Sequence, residues 1–268
     1  MSDKDLNASE LAKWDPVFTA QATKLVAPII NRWFRVEVRG LESIPAVGGV
    51  LMVSNHSGGA LTPDPLVFGP AFYHTFGYDR PLYILAHYGV FFTPLRRYLG
   101  RIGAIHATPE NASKALHSGA VVLVYPGGDY DAYRPTRSQN VIDFNGRTGY
   151  VRVAIETGAP IVPVVSIGAQ ETQLFLSRGD RMAQRLGLHR IRLDILPVTV
   201  GLPFGVTMFF PANLPLPTKI VNQVLKPIDI RTLFGENPNV AEVDSYVRSV
   251  MQNALDRLAR ERRFPVLG

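Results

Sequence analysis

The chain has 268 residues, 46% of them hydrophobic, no cysteine, and 28 Lys and Arg against 22 Asp and Glu, for a net charge of +6. This length fits one large domain or two small ones with a sizeable core, and the lack of cysteine excludes disulfides, thiolate metal sites and cysteine nucleophiles, as in an intracellular protein. The basic balance favours anionic partners such as lipid or phosphorylated small molecules, and the absence of any long Lys/Arg run speaks against nucleic acid.

Residues 1–13 are polar, carry no apolar leader and read as a loose tail entering a helix. Asp15 followed by Pro16 predicts a capped helix start. Val17, Phe18, Leu25, Val26, Ile29 and Ile30 give that helix an apolar side, and Pro28 is expected to kink or end it. Lys24, Arg32, Arg35 and Arg39 lie nearby, so residues 1–33 read as a tail and helix that either pack on the domain or lie on an anionic bilayer. The remaining residues, 34–268, form one domain. Residues 34–38 alternate as a half-buried strand does, and residues 50–53 are a buried strand between glycines. That strand runs into Ser54-Asn55-His56-Ser57-Gly58-Gly59, with Asp64 eight residues past the histidine. Asp64 can fold back to hold the imidazole, or it can simply start the helix that runs over residues 66–73.

Residues 82–86 read as a strand. Residues 89–101 mix aromatics, leucines and three arginines, which suits a membrane-contacting segment or a short helix over the sheet. Further strands are predicted at 102–106, 121–125 and 161–167, and helices at 109–118 and 149–157, each closed by the glycine that follows. Residues 195–218 carry no charge, but five prolines argue against a spanning helix. They read as strand and loop packed inside or dipped into lipid. Residues 240–263 form a closing helix with Val243, Val247, Met251, Leu255 and Leu258 on one face. The alternation predicts an α/β fold: a single domain with a largely parallel mixed sheet flanked by helices, preceded by an N-terminal helix.

Two strand ends carry the chemistry. One offers His56 with Asp64 as its candidate partner; a histidine held by a carboxylate is a general base for a hydroxyl. The other, Tyr125-Pro126-Gly127-Gly128, offers a glycine pair that lets backbone approach a substrate, with Arg134 beyond it to hold an anion. His74, His87, His117 and His189 have no comparable setting, and His106 ends a strand where it could border the pocket. Arg178, Arg181, Arg185, Arg190 and Arg192 form a basic stretch, read as a solvated face or a contact for headgroups or CoA phosphates.

These motifs resemble those of the glycerolipid acyltransferases of the lysophosphatidic-acid acyltransferase type. Ser54-Asn55-His56 with Asp64 resembles the first motif, Tyr125-Pro126-Gly127-Gly128 the acceptor motif, and Ile161-Val162-Pro163-Val164-Val165 the later apolar strand. The Pro-Gly-Gly form, residues 145–154 and Gly168-Ala169-Gln170-Glu171 look closer to the mono- and diacylglycerol acyltransferase branch. There are departures. Seven residues separate His56 from Asp64 where the family pattern has four. Gly127 stands where a glutamate is expected, and the expected arginine is displaced to Arg134 or Arg137, with Arg147 a third candidate.

The resemblance implies transfer of an acyl group from acyl-CoA or acyl carrier protein to a lipid hydroxyl on a lysophospholipid or a mono- or diacylglycerol. It implies His56 as base and Asp64 as its orienter. Asn55, Ser57, Tyr125, Gly127, Gly128, Arg134 and Arg147 then form the substrate site. No metal and no cofactor is required, acyl-CoA being a co-substrate. The lipid substrate and the basic balance together imply a cytoplasmic protein, peripheral on the inner face of the cell membrane. Two rival readings are a non-catalytic lipid-binding protein and a lipid hydrolase or thioesterase. A serine hydrolase would use Ser57, but the chain lacks the Gly-x-Ser-x-Gly elbow.

Overall fold

A computed structural model describes residues 10–191, 194–264 and 266–267. The chain opens with helix α1 (Pro16–Phe34), which the Asp15 carboxylate caps by accepting the Phe18 N–H at 2.9 Å. Pro28 does not end this helix. It sits on the exposed side, and the helix continues until Arg35 turns left-handed at φ 42°. The strand predicted from residue 34 therefore starts at Glu37, because Phe34 is held in the helix by burial against Val67, Ala169 and Ile220.

The main sheet has seven strands: β1 (Glu37–Arg39), β2 (Val50–Ser54), β3 (Leu82–Ala86), β4 (Ala104–His106), β5 (Val121–Val124), β6 (Ile161–Ile167) and, last in the chain, β10 (Val221–Val224). Their order is β1-β10-β6-β2-β5-β3-β4. The five strands from β6 to β4 are mutually parallel, while β10 runs antiparallel to β6 and pairs in parallel with β1. The sheet is thus largely parallel and mixed, as predicted. The strand predicted from residue 102 is shorter because residues 100–102 form a tight turn before Gly103.

Helices α2 (Asp64–Phe76), α3 (Arg96–Leu99), α4 (Pro109–His117), α5 (Gly128–Ala132), α6 (Gly149–Thr157), α7 (Asp180–Arg185), α8 (Ile230–Phe234) and α9 (Val240–Glu261) complete the main elements. Phe68 and Phe72 of α2 pack with Met52, Val50 and Leu123 on one face of the sheet. Leu51, Val53, Val122 and Val165 face the other way, onto α4, α6 and α9 through Ala115, Val151 and Met251. Covering both faces explains why β2 and β6 read as unbroken apolar runs. The 89–101 segment resolves into the turn Tyr88–Phe92 and the single turn α3, with Phe92 exposed.

A second sheet, β7 (Leu174–Ser177), β8 (Val198–Gly201) and β9 (Gly205–Met208), is fully antiparallel. This corrects the reading of residues 195–218 as packed inside. Phe175, Thr199 and Thr207 point inward and are buried, but Leu174, Leu176, Val206 and Met208 face out. Among the described residues, no helix is long and apolar enough to cross a membrane.

Candidate active site

The sheet order builds the site. β2 lies between β5 and β6, and all three run the same way, so their C-terminal ends meet at one point. His56 follows the end of β2 by two residues, Tyr125 directly follows β5, and Ser166 lies near the end of β6.

The long spacing from His56 to Asp64 is taken up by a compact turn. Gly58 sits at φ +96°, and a Cβ there would lie 2.5 Å from Pro63 Cδ, so the turn closes tightly on Pro63. The turn Gly59–Leu61 uses up the extra residues, and Asp64 returns as the first residue of α2. Its carboxylate faces the histidine: Asp64 Oδ2 lies 3.0 Å from His56 Nδ1. The same carboxylate accepts the Ser57 N–H at 2.7 Å and the Ser166 hydroxyl at 3.0 Å, and Thr62 Oγ1 lies 3.3 Å away. Only 1% of Asp64 is exposed. A carboxylate this deep must be met by donors, and these are the donors. The residue before α2 is Pro63, with no side-chain cap, so Asp64 serves the histidine and not the helix start.

Because Nδ1 faces a carboxylate, the neutral ring carries its proton there and leaves Nε2 as the acceptor. The imidazole keeps 17% of its surface exposed and stacks on Tyr125, with ring centroids 4.4 Å apart. Burial, together with the nearby Asp64 charge, pushes the Tyr125 hydroxyl well above the usual phenol range. Tyr125 thus packs against the ring as a neutral side chain.

The His56 backbone is fixed as well. Its N–H donates to Asp131 Oδ2 at 2.7 Å. Asp131 Oδ1 in turn accepts from Arg134 at 2.8 Å, and both residues are buried. Burial pushes the Asp131 carboxyl up, against the opposing pull of Arg134 and the His56 N–H. Gly127 explains how Asp131 fits: a Cβ at position 127 would lie 2.4 Å from Asp131 Cβ. The space beside position 127 is thus taken by the Asp131 side chain, one helical turn on.

The expected substrate residues are placed as follows. Arg134 differs from the expectation: its guanidinium is committed to Asp131 and to the Asp143 carbonyl, so it forms part of the wall. Arg147 is half exposed and clamps the glycine turn, donating to the Gly127 carbonyl at 2.8 Å and to Asp129 at 2.9 Å. Asn55 is buried and exchanges two 2.8 Å hydrogen bonds with the Ser166 backbone, tying β2 to β6. Ser57 contributes its backbone to Asp64 and to Thr62. Behind these residues lies a cavity of about 20 Å³ lined by Asn55, Asp131, Arg134, Ser166 and Gln170, room for about one water. Arg137 is exposed on a neighbouring turn. His106 does not border this site: it pairs with Glu10 and is flanked by Tyr88 and Phe91. In the basic stretch, Arg178 lies over the Tyr130 ring at 3.6 Å, Arg181, Arg185 and Arg190 are exposed, and Arg192 lies outside the described residues.

The family model of the acyltransferases matches residues 35–167, which span His56, Asp64, Tyr125, Asp131 and Arg147. An uncharacterised protein of Mycobacterium tuberculosis is 32% identical over 256 residues, covering 93% of this chain and 69% of that protein. The chain belongs to the glycerolipid acyltransferase family. It is also 28% identical, over 72% of its own length and 56% of the relative's, to a Bos taurus protein described as a DGAT1/2-independent enzyme synthesizing storage lipids. Its fold resembles the 1-acyl-sn-glycerophosphate acyltransferase PlsC of Thermotoga maritima, with a TM-score of 0.50 and 17% identity over 89% of this chain and 82% of that one.

Asp131, Ser166 and Thr62 are site residues that the sequence reading missed. The signal for Asp131 was the missing glutamate at Gly127 with an acidic residue one helical turn on. Nothing local marks Ser166, which sits inside an apolar strand.

Removing Asp131 should leave the Arg134 guanidinium buried without its partner. Asp131→Ala is expected to cost about 3–5 kcal/mol in urea unfolding, and Asp131→Ala with Arg134→Met should recover most of it. Tyr125→Phe should keep transfer activity near wild type. Tyr125→Ala should lower kcat by roughly 3- to 10-fold, the worth of a lost ring stack of about 0.5–1.5 kcal/mol, with the fold checked by circular dichroism.

Proposed function

We propose that this chain is an O-acyltransferase that moves a fatty acyl group from acyl-CoA, or from acyl carrier protein, to the hydroxyl of a lipid acceptor, with His56 as general base. The observation that carries this reading is the 3.0 Å contact between His56 Nδ1 and the buried Asp64 carboxylate. It leaves Nε2, on a partly exposed ring, available to a substrate hydroxyl.

The acceptor hydroxyl gives its proton to Nε2 as its oxygen attacks the thioester carbonyl carbon. Asp64 stabilises the imidazolium that forms. The tetrahedral intermediate then collapses, the carbon–sulfur bond breaks, and the leaving thiolate takes the proton back from His56. The products are an ester and a free thiol, with no acyl-enzyme. Backbone N–H groups of the glycine-rich turns are the donors we assign to the developing oxyanion.

The acceptor we favour is uncharged, a monoacylglycerol or diacylglycerol. Arg134 faces Asp131 and Arg147 faces Asp129, so neither arginine offers an uncompensated charge to a phosphate. The bovine relative, described as an enzyme synthesizing storage lipids, agrees with a neutral product. A lysophospholipid is the second acceptor.

Release of free CoA from palmitoyl-CoA, followed across monoacylglycerol, diacylglycerol, lysophosphatidic acid and a fatty alcohol, tests the reading. We expect acceptor-dependent release that His56→Ala lowers by about 10²–10⁴-fold, with a smaller loss for Asp64→Asn. Equal activity in His56→Ala would reject His56 as the base. Release without any acceptor would indicate a thioesterase, and failure of the folded protein to transfer from either CoA or carrier protein would favour lipid binding.

A further inference from the structure

The second sheet presents an outer face that nothing among the described residues covers. Val206 is 67% exposed, Phe210 70% and Phe204 54%, and Leu174 and Leu176 continue the face onto β7. The segment that builds most of it, residues 195–218, contains no ionisable side chain. A folded monomer rarely leaves so many large apolar groups together in water.

The polar groups of this hairpin are turned inward and used. The central strand β8 is paired on both sides, with β7 and β9 as the edges. At the tip, buried Asn213 accepts the Phe204 N–H at 3.0 Å and donates to the Gly205 carbonyl at 2.9 Å. Thr199 and Thr207 bond to each other at 3.0 Å on the buried side. With these polar side chains paired internally, the tip presents mainly apolar groups to the outside.

The end of α1 adjoins the segment that follows β9. Trp33 Nε1 donates to the Pro215 carbonyl at 2.9 Å, and Arg35 reaches the Pro217 and Val266 carbonyls. Leu25, Ile29 and Trp33, spaced four residues apart, form an exposed stripe leading to that contact. The helix has no acidic residue, and Lys24 and Arg32 are exposed beside the stripe. An apolar centre, a tryptophan at its edge and a cationic rim match the layers of an anionic bilayer: acyl chains, interface and headgroups.

We propose that this surface, the outer face of β7-β8-β9 with its tip and the Leu25-Ile29-Trp33 stripe, docks the protein on a membrane containing anionic phospholipid. Its position gives the docking a purpose. On the inner side, Phe175 and Phe209 pack against Tyr133, two residues from the Asp131 that holds the His56 backbone. Docking by the outer face therefore sets the His56 end of the sheet next to the lipid surface. The proposal stands independently of the acyl acceptor.

Vesicle flotation of the full chain tests it, with vesicles of phosphatidylcholine alone or mixed with phosphatidylglycerol. Wild type should float with the mixed vesicles at low salt and be released as salt rises. Phe204→Asp with Phe210→Asp should lower the bound fraction more than about tenfold, since charge is costly in an apolar contact. Phe204→Ser with Phe210→Ser serves if the charged variant does not fold, as judged by circular dichroism. Lys24→Glu with Arg32→Glu should remove the preference for phosphatidylglycerol. Wild type remaining unbound at low salt would overturn the proposal, as would undiminished flotation of a folded Phe204/Phe210 variant. Ultracentrifugation showing a wild-type dimer that these variants dissociate, with no vesicle binding, would assign the face to a second copy instead.

Discussion

A buried carboxylate organises this end of the molecule. Asp64 is almost wholly removed from water, and a charge in that position persists only if donors surround it. They come from three separate parts of the chain: the His56–Ser57 corner after β2, Thr62 in the following turn, and Ser166 in β6. Satisfying one charge thus fixes the entry to α2, the turn that precedes it and the register between two strands. It also gives His56 its tautomer. The rigidity and the chemistry of the site have the same source.

Charge cancellation gives the site its second property. The chain is basic overall, yet its arginines near His56 are matched locally: Arg134 by Asp131 and Arg147 by Asp129. The first pair is buried and structural, and its carboxylate also fixes the His56 backbone. The second is half exposed and braces the Gly127 carbonyl. These pairs hold the glycine turn in place, whereas Lys24 and Arg32 of α1 lie on the outside of the fold. Local pairing, and not net charge, sets what kind of headgroup each surface suits.

The two sheets divide the labour. The main sheet buries both faces and carries the residues around His56. The small antiparallel sheet buries only one, keeping Thr199, Thr207 and Asn213 inside and large apolar side chains outside. This reverses the usual arrangement of a half-exposed sheet, in which polar residues face out. Tyr133 joins the two through Phe175 and Phe209, so the small sheet stands at the His56 end of the molecule.

Much of this was legible in the sequence. Apolar runs with glycines at their ends located β2 and β6, the period of residues 240–261 located α9, and the strand-end histidine marked the site. These are local properties: burial on both faces demands continuous apolar residues, and turns demand glycine. The tertiary structure decided what local spacing leaves open. A spacing of eight from His56 to Asp64 fits a working pair or a helix start alike, and only the closure of the turn on Pro63 brings the carboxylate to Nδ1. Ser166 lies 102 residues from Asp64 and 111 from Asn55, and Asp131 lies 75 from His56, so no window of sequence contains both ends. Residues 195–218 show the same limit. Their composition announced an apolar segment, but which side of it faces water follows from strand pairing, and pairing is a contact between distant parts of the chain.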